Sequence, residues 1–296
     1  MKETNETERE LSRVLKAVSR SFYLSMVWLP PAMRRGVALG YLLARAADSV
    51  ADTSSAPAAE RVAVLEKMRA AIARGGECPA AAALAEAQPK ASERELLQRF
   101  DTCLSLLDGL PESERAAVRE VLDVIIGGQL WDLQYFAGHC SVESDEDTLH
   151  YTYAVAGCVG KFWTDLGCIT LGDGFCAPDR RELMTEAAVR YGRGLQLVNI
   201  LRDREEDARL GRRYLCSDPE LWMRRAERWL CDGLDYARRL GSFRLRFSSV
   251  LPALLGVKTL RLIRTSRPGQ RAKIPRRAVY ATLLRALFLS VIRRGA

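Results

Sequence analysis

Apolar residues recur at intervals of three and four along most of the chain, which is the spacing of one face of an α-helix. The clearest segments of this kind are residues 10–29, 36–53, 58–73, 92–107, 113–136 and 149–171. Another helix is predicted to start near Pro178 and to end within residues 199–215, with two or three more in the C-terminal region. Short alternating strands, a glycine-rich phosphate loop and internal repeats are absent from the sequence. The pattern predicts an all-α fold, with residues 1–296 in a single domain.

Residue types that break helices separate these segments. Pro30 and Pro31 stop the first helix and restart the next, and the Ala-, Gly- and Pro-containing run 75–90 predicts a surface loop. The acidic run 141–148 precedes the segment 149–171 and places negative charge where a helix N-terminus prefers it.

Composition indicates an ordinary soluble globular protein, with 48% apolar and 28% charged residues. The eight cysteines form no C-x-x-C pair and there are two histidines, which disfavours a disulfide framework and a zinc site. The polar N-terminus lacks the apolar stretch of a secretory signal. The most apolar window, residues 278–292, is short for a membrane span and contains Arg285. We expect a cytoplasmic protein with reduced thiols.

The positive charge of the chain is concentrated at its C-terminal end. Residues 236–296 contain 15 Lys and Arg and not one Asp or Glu, whereas the whole chain has a net charge of +8. Such a region suits an anionic membrane surface, an anionic substrate or a nucleic acid. Sparse aromatic residues and the lack of a recognised module argue against nucleic acid.

Asn199, Asp203 and Asp207 recur every four residues in the segment NILRDREEDARLGRRYL, residues 199–215. On a helix this spacing places the three side chains on one face. Two carboxylates one turn apart repel each other, but Mg²⁺ reverses the sign of that interaction, because it binds oxygen ligands and commonly takes one or two carboxylates. Paired carboxylates on a solvated surface are the alternative interpretation.

A second pair, Asp48 and Asp52, has the same spacing among Leu, Ala, Val and Tyr residues. Carboxylates in such apolar surroundings are expected beside a cavity that holds a cation. Arginines accompany both pairs, namely Arg45, Arg202, Arg209 and Arg212. A metal ion together with guanidinium groups neutralises a diphosphate leaving group, although spacing alone supports this interpretation and surface carboxylates about equally.

Four blocks, in their order and separation, carry a resemblance to a known family. They are SRSFYLS (19–25), YLLARAADSVAD (41–52), YTYAVAGCVGKF (151–162) and LQLVNILRDREEDARLGRRYL (195–215). Through them the chain resembles the squalene/phytoene synthase family, the head-to-head prenyltransferases. The resemblance extends over about residues 10–215 and is weaker in the C-terminal tail. In the residues of these blocks the chain is more similar to squalene synthases than to phytoene synthases.

The resemblance implies an isoprenoid synthase fold, a helical bundle around a central cavity. It assigns Mg²⁺ binding to Asp48, Asp52, Asn199, Asp203 and Asp207, and the carboxylates among them also count as catalytic. It places at the diphosphate end of the cavity Ser19, Arg20, Ser21, Tyr41, Arg45, Gln196, Arg202 and Arg212. It places Phe22 and Tyr151 beside the reacting carbons, with Tyr151 in proton handling.

Ordinary explanations exist for some of these residues. Phe22 suits plain core packing. Gly157 and Gly160 suit either close helix packing or room for a long isoprenoid chain. The sequence also departs from many relatives, with Ser49, Ala51 and Thr53 where further acidic residues are common, and with Cys216 where proline is common.

The predicted activity is farnesyl diphosphate farnesyltransferase, in which two C15 diphosphates couple to presqualene diphosphate, which NADPH then reduces to squalene. Alternatives within the family are phytoene, dehydrosqualene or hydroxysqualene synthesis. An alternative of another class is a noncatalytic assembly protein. Because the substrate is amphiphilic, the basic tail either contacts a membrane peripherally or forms a final helix packed on the bundle with its arginines outward.

Overall fold

Every regular element in the described part of the chain is a helix. The computed structural model describes residues 12–19, 22–267 and 271–291, and no strand occurs in these ranges. The all-α prediction is confirmed. Two compact units share the described residues, an N-terminal unit within Met1–Val27 and Pro31–Leu133 and a C-terminal unit within Trp28–Pro30 and Gln134–Ala296. The prediction of a single domain stays a prediction.

The N-terminal unit contains short and medium helices. In chain order they are α1 (residues 12–19), α2 (Phe22–Val27), α3 (Pro31–Ala51), α4 (Ala58–Arg74), α5 (Pro79–Ala83), α6 (Ala91–Gln98) and α7 (Phe100–Asp108). The long helix α8 (Glu112–Gly138) begins in this unit and ends in the next. Helix α3 packs against α4, α6 and α7 around fully buried residues such as Leu43, Leu65 and Leu97.

The C-terminal unit contains the longer helices. They are α9 (Asp145–Thr152), a π-helical turn (Tyr153–Gly157), α10 (Cys158–Leu171), α11 (Arg181–Arg209), α12 (Pro219–Arg239), α13 (Phe243–Thr265) and α14 (Arg276–Val291). Helix α11 packs against α10, α12 and α13, and Leu197, Trp222 and Leu260 lie in their shared core. No helix in the described ranges has the length and apolarity needed to cross a membrane.

The structure differs from the predicted helices at three places. The predicted loop 75–90 contains the short helix α5, which starts at Pro79 and continues through alanines. The segment 92–107 divides into α6 and α7 at Arg99. Negative charge lies at the N-terminus of a helix as predicted, but this helix starts one turn earlier than residue 149. The start is earlier because Ser144 and Asp147 form a reciprocal capping box at the beginning of α9. Residues 20–21 of the first segment lie outside the described residues.

Two glycines allow α11 to lie closer to α10 and to the π-helical turn than it could with any other residue at those positions. A Cβ atom on Gly160 would lie 2.0 Å from the carbonyl oxygen of Ala188, and one on Gly192 would lie 2.2 Å from that of Ala156. Both obstacles are backbone atoms, which cannot move aside as a flexible side chain can. Close helix packing therefore explains Gly160.

Substitution of Gly160 by alanine is expected to lower the free energy of unfolding by about 1–3 kcal/mol, because the added methyl group must push two helices apart. Urea denaturation followed by circular dichroism measures the change. The matched control is Gly127→Ala inside α8, where the nearest atom lies 3.8 Å from the new Cβ. That variant should gain roughly 0.5–1 kcal/mol from helix propensity. Equal effects of the two substitutions would contradict this account.

Candidate active site

In the N-terminal unit, α3 carries the first acidic motif on its last two turns. Tyr41, Arg45 and Asp48 lie on the helix, and Asp52 follows its last residue. The Asp52 N–H still donates to the carbonyl oxygen of Asp48 at 2.9 Å, so the two carboxylates keep the four-residue helical relationship. The predicted pair is therefore present as a local geometry.

Arg45 joins this motif to a residue that sequence analysis missed. Its guanidinium group donates to the carboxylates of both Asp48 and Glu93. Lys90 donates to Glu93 at 3.0 Å, and Glu93 is buried. No spacing in the sequence connects Glu93 with Asp48, because Glu93 lies on α6, which only tertiary packing brings to α3.

The carboxyl group of Asp48 holds its proton more strongly than an ordinary aspartate. Crowding by protein atoms, then repulsion from Asp52 and Glu93, raises the pKa of Asp48 to about 7, against the opposing effect of Arg45. The Asp48 side chain keeps 41% of its surface exposed, so repulsion from Asp52 and Glu93 is a main reason why its pKa is raised. The motif therefore has more negative charge than Arg45 neutralises.

The positions where the sequence departs from its relatives have a structural role. Thr53 donates to the carbonyl oxygen of Ser49 at 2.7 Å, and the side-chain amide of Gln88 donates to the same oxygen at 3.2 Å. All three residues are buried. These hydrogen bonds fix the end of α3 that carries the aspartates.

The first predicted diphosphate block is described only in part. Buried Ser19 donates from its hydroxyl to the carbonyl oxygen of Leu15 at 2.5 Å, and the Tyr41 hydroxyl donates to the carbonyl oxygen of Val18 at 3.4 Å. Phe22 begins α2. Arg20, Ser21 and the side chain of Phe22 lie outside the described residues. Their predicted roles stay predictions.

In the C-terminal unit, the last turns of α11 carry the second acidic motif. Asn199, Asp203 and Asp207 follow each other at one-turn intervals within this helix, as predicted. The amide of Asn199 donates to the side-chain oxygen of Gln196 at 3.2 Å. Asn199 is exposed, and both aspartates are partly exposed. Asn199 and Asp207 are therefore reachable from solvent, whereas both carboxylate oxygens of Asp203 already accept hydrogen bonds from arginines.

Two arginines hold Asp203. Arg202 donates to its two carboxylate oxygens at 2.9 and 2.5 Å, and Arg271 donates to one of them at 2.9 Å. Partial burial opposes the shift, but these hydrogen bonds and positive charges lower the pKa of Asp203 below its usual value. Arg271 also lies 3.3 Å from Glu206. The sequence indicated a basic tail but did not single out Arg271.

The chain turns sharply after α11 and brings Arg212 back to the motif. Gly211 has a φ of 76°, a left-handed conformation that favours glycine. The Arg212 N–H then donates to the carbonyl oxygen of Asp207 at 2.9 Å. Arg212 and Asp207 line the same cleft of about 190 Å³ together with Tyr214. Two of the predicted site residues are thus neighbours within this unit.

Tyr151 lies in a group of aromatic rings. Its ring stacks on that of Tyr214 with centroids 4.6 Å apart, and Phe136 meets Tyr214 edge-on at 5.1 Å. Thr148 donates to the carbonyl oxygen of Tyr214 at 2.7 Å. The next tyrosine, Tyr153, instead lies under the guanidinium group of Arg193. Tyr214 lies within the fourth sequence block, but the sequence analysis assigned it no role and did not predict its contact with Tyr151.

The donor set of both motifs suits Mg²⁺. Each motif offers two carboxylates, and the second adds an amide oxygen, which are the hard oxygen ligands this ion prefers. The excess negative charge around Asp48 is a further feature that a cation would relieve. Within the part of the chain that the structure describes, no cluster of three or more His, Cys, Asp or Glu side chains is close enough to hold an ion. Mg²⁺ ordinarily completes its shell with water and phosphate oxygens.

Comparison with known proteins decides the family. The sequence profile of the squalene/phytoene synthase family matches residues 15–219, which is more than half of the chain. The chain belongs to the squalene/phytoene synthase family. Members of this family are head-to-head prenyltransferases of isoprenoid biosynthesis. The resemblance read from the four blocks is confirmed.

Individual relatives within the squalene/phytoene synthase family have different names. Presqualene diphosphate synthase of Rhodopseudomonas palustris is 33% identical over 68% of this chain and 60% of its own length. A probable squalene synthase of Neurospora crassa is 29% identical over 77% of this chain and 45% of its own length. A bifunctional lycopene cyclase/phytoene synthase of Colletotrichum graminicola is 29% identical over 73% and 35%. The chain spans less than two-thirds of the length of each.

Solved structures of squalene and dehydrosqualene synthases share the fold. A ligand complex of TcSQS matches with a TM-score of 0.75 and 23% identity, covering 97% of this chain and 89% of that one. A ligand complex of a dehydrosqualene synthase matches with a TM-score of 0.65 and 19% identity, covering 96% of each chain. The predicted isoprenoid synthase fold is confirmed. The roles of the individual site residues and the central cavity stay predictions.

Substitution of Arg271 by glutamine is expected to tighten Mg²⁺ binding roughly two- to five-fold, because an exposed arginine that competes for Asp203 is worth less than about 1 kcal/mol. Calorimetric titration of the purified protein with Mg²⁺ measures the change. Arg267→Gln removes an exposed charge from the same segment and serves as the control. Weaker Mg²⁺ binding to the Arg271 variant would show that Arg271 supports the site instead of competing for it.

Proposed function

We propose that the protein is a farnesyl diphosphate farnesyltransferase that couples two farnesyl diphosphates and reduces the product to squalene. The observation that carries the proposal is that each acidic motif of this family member has a guanidinium group bound to its aspartate, Arg45 on Asp48 and Arg202 on Asp203. Carboxylates that bind metal beside arginines that bind phosphate are suited to removing diphosphate from a carbon atom. In this proposal both motifs act on the diphosphate groups of the substrates.

The first step joins the two chains. The allylic C–O bond of one farnesyl diphosphate breaks and releases diphosphate, and the resulting carbocation adds to the double bond of the second molecule. Loss of a proton closes the cyclopropane ring of presqualene diphosphate. Arg45, Arg202 and Arg212 would hold the diphosphate groups and draw charge away from the breaking bond, with Ser19, Arg20, Ser21, Tyr41 and Gln196 as further contacts.

Mg²⁺ is the proposed metal. The residues that would hold it are Asp48, Asp52, Asn199, Asp203 and Asp207, and when bound it would neutralise the charge of the departing diphosphate. Arg271 would have to release Asp203 for that aspartate to take part. Asp48 would bind in its ionised form, because the positive charge of a divalent cation, added to that of Arg45, favours loss of the proton.

Tyr151 and Phe22 are the proposed aromatic residues beside the carbocation. The stacking of Tyr151 on Tyr214 limits the orientations that the Tyr151 ring can adopt, so that its hydroxyl is presented in a defined direction. An aromatic face stabilises a nearby cation, and exclusion of water protects it from capture. Tyr151 is also the proposed group that handles the proton lost when the cyclopropane closes.

The second step ionises presqualene diphosphate again and releases the second diphosphate. The rearranged C30 cation then accepts hydride from NADPH, which gives squalene and NADP⁺. A second candidate ends at presqualene diphosphate, and two relatives with that name, 33% and 30% identical to this chain, favour it. A noncatalytic assembly role is disfavoured because all five metal-motif residues are present.

The cytoplasmic face of a membrane is the proposed place of action. Farnesyl diphosphate is amphiphilic, and a C30 hydrocarbon does not dissolve in water. A protein that works at the membrane surface delivers such a product directly into lipid.

The activity test incubates purified protein with Mg²⁺ and farnesyl or geranylgeranyl diphosphate, with and without NADPH, and identifies the products by mass spectrometry. Squalene is expected from farnesyl diphosphate with NADPH, and chelation of Mg²⁺ should abolish it. Presqualene diphosphate alone would select the second candidate. A C30 hydrocarbon or alcohol without NADPH would point to dehydrosqualene or hydroxysqualene synthesis, and phytoene alone would contradict the C15 substrate. No product from either substrate would support the assembly role.

Substitution of Tyr151 by phenylalanine is expected to lower kcat for formation of presqualene diphosphate by about 100-fold or more, the usual contribution of a positioned proton-transfer group. The ring stack on Tyr214 remains, so the melting temperature should change little. Tyr153→Phe removes a hydroxyl two residues away, from a ring that lies under Arg193, and should leave kcat near the wild-type value. Comparable losses of kcat in the two variants would contradict the proposed role of Tyr151 in proton transfer.

A further inference from the structure

The last helix of the described chain, α14, exposes four large apolar side chains on the face that points away from the rest of its unit. Small residues occupy the buried face, with Thr282, Ala286 and Ser290 at four-residue intervals. Four large side chains point outward, and the exposed fractions are 67% for Tyr280, 70% for Leu284, 68% for Phe288 and 69% for Val291. These four residues are called the outer stripe below.

The outer stripe is additional to the packing that holds α14 in place. Ala286, with Leu283 and Leu287 beside it, packs into a cluster with Phe247 and Leu251 of α13. The expectation of a final helix packed on the bundle is therefore confirmed, and its arginines do lie outside. That expectation did not include the outer stripe, which follows one face of α14 over about 17 Å at the usual rise per residue.

Positive charge accompanies the outer stripe. Arg276, Arg277 and Arg285 are exposed, and helical geometry places Arg277 between Leu284 and Phe288 around the axis. The whole region 236–296 contains no carboxylate side chain that would pair with these groups. An apolar face bordered by exposed arginines is the arrangement of a helix that lies in the interface of an anionic bilayer.

We propose that the outer stripe of α14 docks the protein on the surface of a bilayer that contains anionic lipids. The helix lies in the plane of the interface, with Leu284, Phe288 and Val291 among the upper acyl chains and the Tyr280 ring near the headgroups. Arg277 and Arg285 extend their apolar stems along the interface and bind lipid phosphates. This deepens the proposed membrane contact by naming its surface and lipid chemistry, and it does not depend on which isoprenoid reaction the protein catalyses.

A second copy of the chain is a poorer occupant of the same surface. A symmetric contact places the same patch on both partners. Two α14 helices packed through the outer stripe would therefore bring the arginines of one copy near those of the other. With no carboxylate in residues 236–296 to separate them, the like charges would repel.

Co-sedimentation with vesicles tests the proposal without a catalytic readout, so its failure is distinguishable from failure of the proposed reaction. The purified full chain is mixed with vesicles of phosphatidylcholine alone or of phosphatidylcholine with phosphatidylglycerol. Binding is expected to the anionic vesicles only and should weaken as salt is added, because salt screens the arginine–phosphate attraction. Two pairs of matched variants then locate the surface.

The apolar variant Leu284→Ser/Phe288→Ser should lower the vesicle partition coefficient at least about tenfold, since it removes half of the outer stripe. Its control, Leu183→Ser/Leu221→Ser, removes two leucines that are 59% and 55% exposed on α11 and α12 and should bind as the wild type does. The charge variant Arg277→Gln/Arg285→Gln should also lose about tenfold or more, at roughly 1 kcal/mol for each arginine at the surface. Its control, Arg224→Gln/Arg228→Gln, neutralises two exposed arginines of α12.

Three results would overturn the proposal. They are absence of binding to anionic vesicles, equal binding to both kinds of vesicle, and wild-type binding by both the apolar and the charge variants. Sedimentation velocity without lipid tests whether a second copy of the chain occupies the outer stripe. A wild-type dimer that the apolar variant converts to monomer would assign the outer stripe to a second copy instead. Thermal melts of all four variants confirm that the changes lie at exposed positions of a folded chain.

Discussion

The electrostatic balance between paired carboxylates and their arginines governs what each acidic motif can bind. Aspartates one helical turn apart repel each other by a few tenths of a kcal/mol, so a nearby cation stabilises each pair on its helix. In the first motif Arg45 is shared between Asp48 and Glu93, and the pKa of Asp48 stays raised to about 7. In the second, Arg202 and Arg271 lower the pKa of Asp203. Arg45 therefore serves two carboxylates in the first motif, whereas two arginines serve the single carboxylate of Asp203 in the second.

This difference would give the two motifs different roles toward the proposed Mg²⁺. A divalent cation that reaches Asp48 and Asp52 relieves repulsion that is already present, which favours binding there. A cation that reaches Asp203 must compete with Arg271, and the contact it displaces is an exposed one of small energy. The arginine so released would remain close to the diphosphate groups. The second motif is thus suited to respond to substrate and metal together.

Rigid backbone contacts hold the helices that present these charges. The end of α3 is tied by the buried hydrogen bonds of Ser49, Thr53 and Gln88. Helix α11 approaches its neighbours so closely that Gly160 and Gly192 leave no space for a methyl group. At the other extreme, α14 presents large apolar side chains to the outside, where nothing in the described chain covers them. Positioning of charge and attachment to a surface are therefore served by different helices of the molecule.

Periodicity and motif spacing determined the helical class, most helix positions and the two acidic faces, because these depend on residues that are near in sequence, and the resemblance of four sequence blocks indicated the family. The register of Asp48 with Asp52, and of Asn199 with Asp203 and Asp207, is a local property of any helix. Only the tertiary structure decided that Glu93 and Arg271 join the motifs, that Tyr214 stacks on Tyr151, and that the large side chains of α14 face outward. Those outcomes depend on which surfaces of distant helices pack together. A helix with apolar residues on both faces, such as α14, does not reveal from its own sequence which face the core will take.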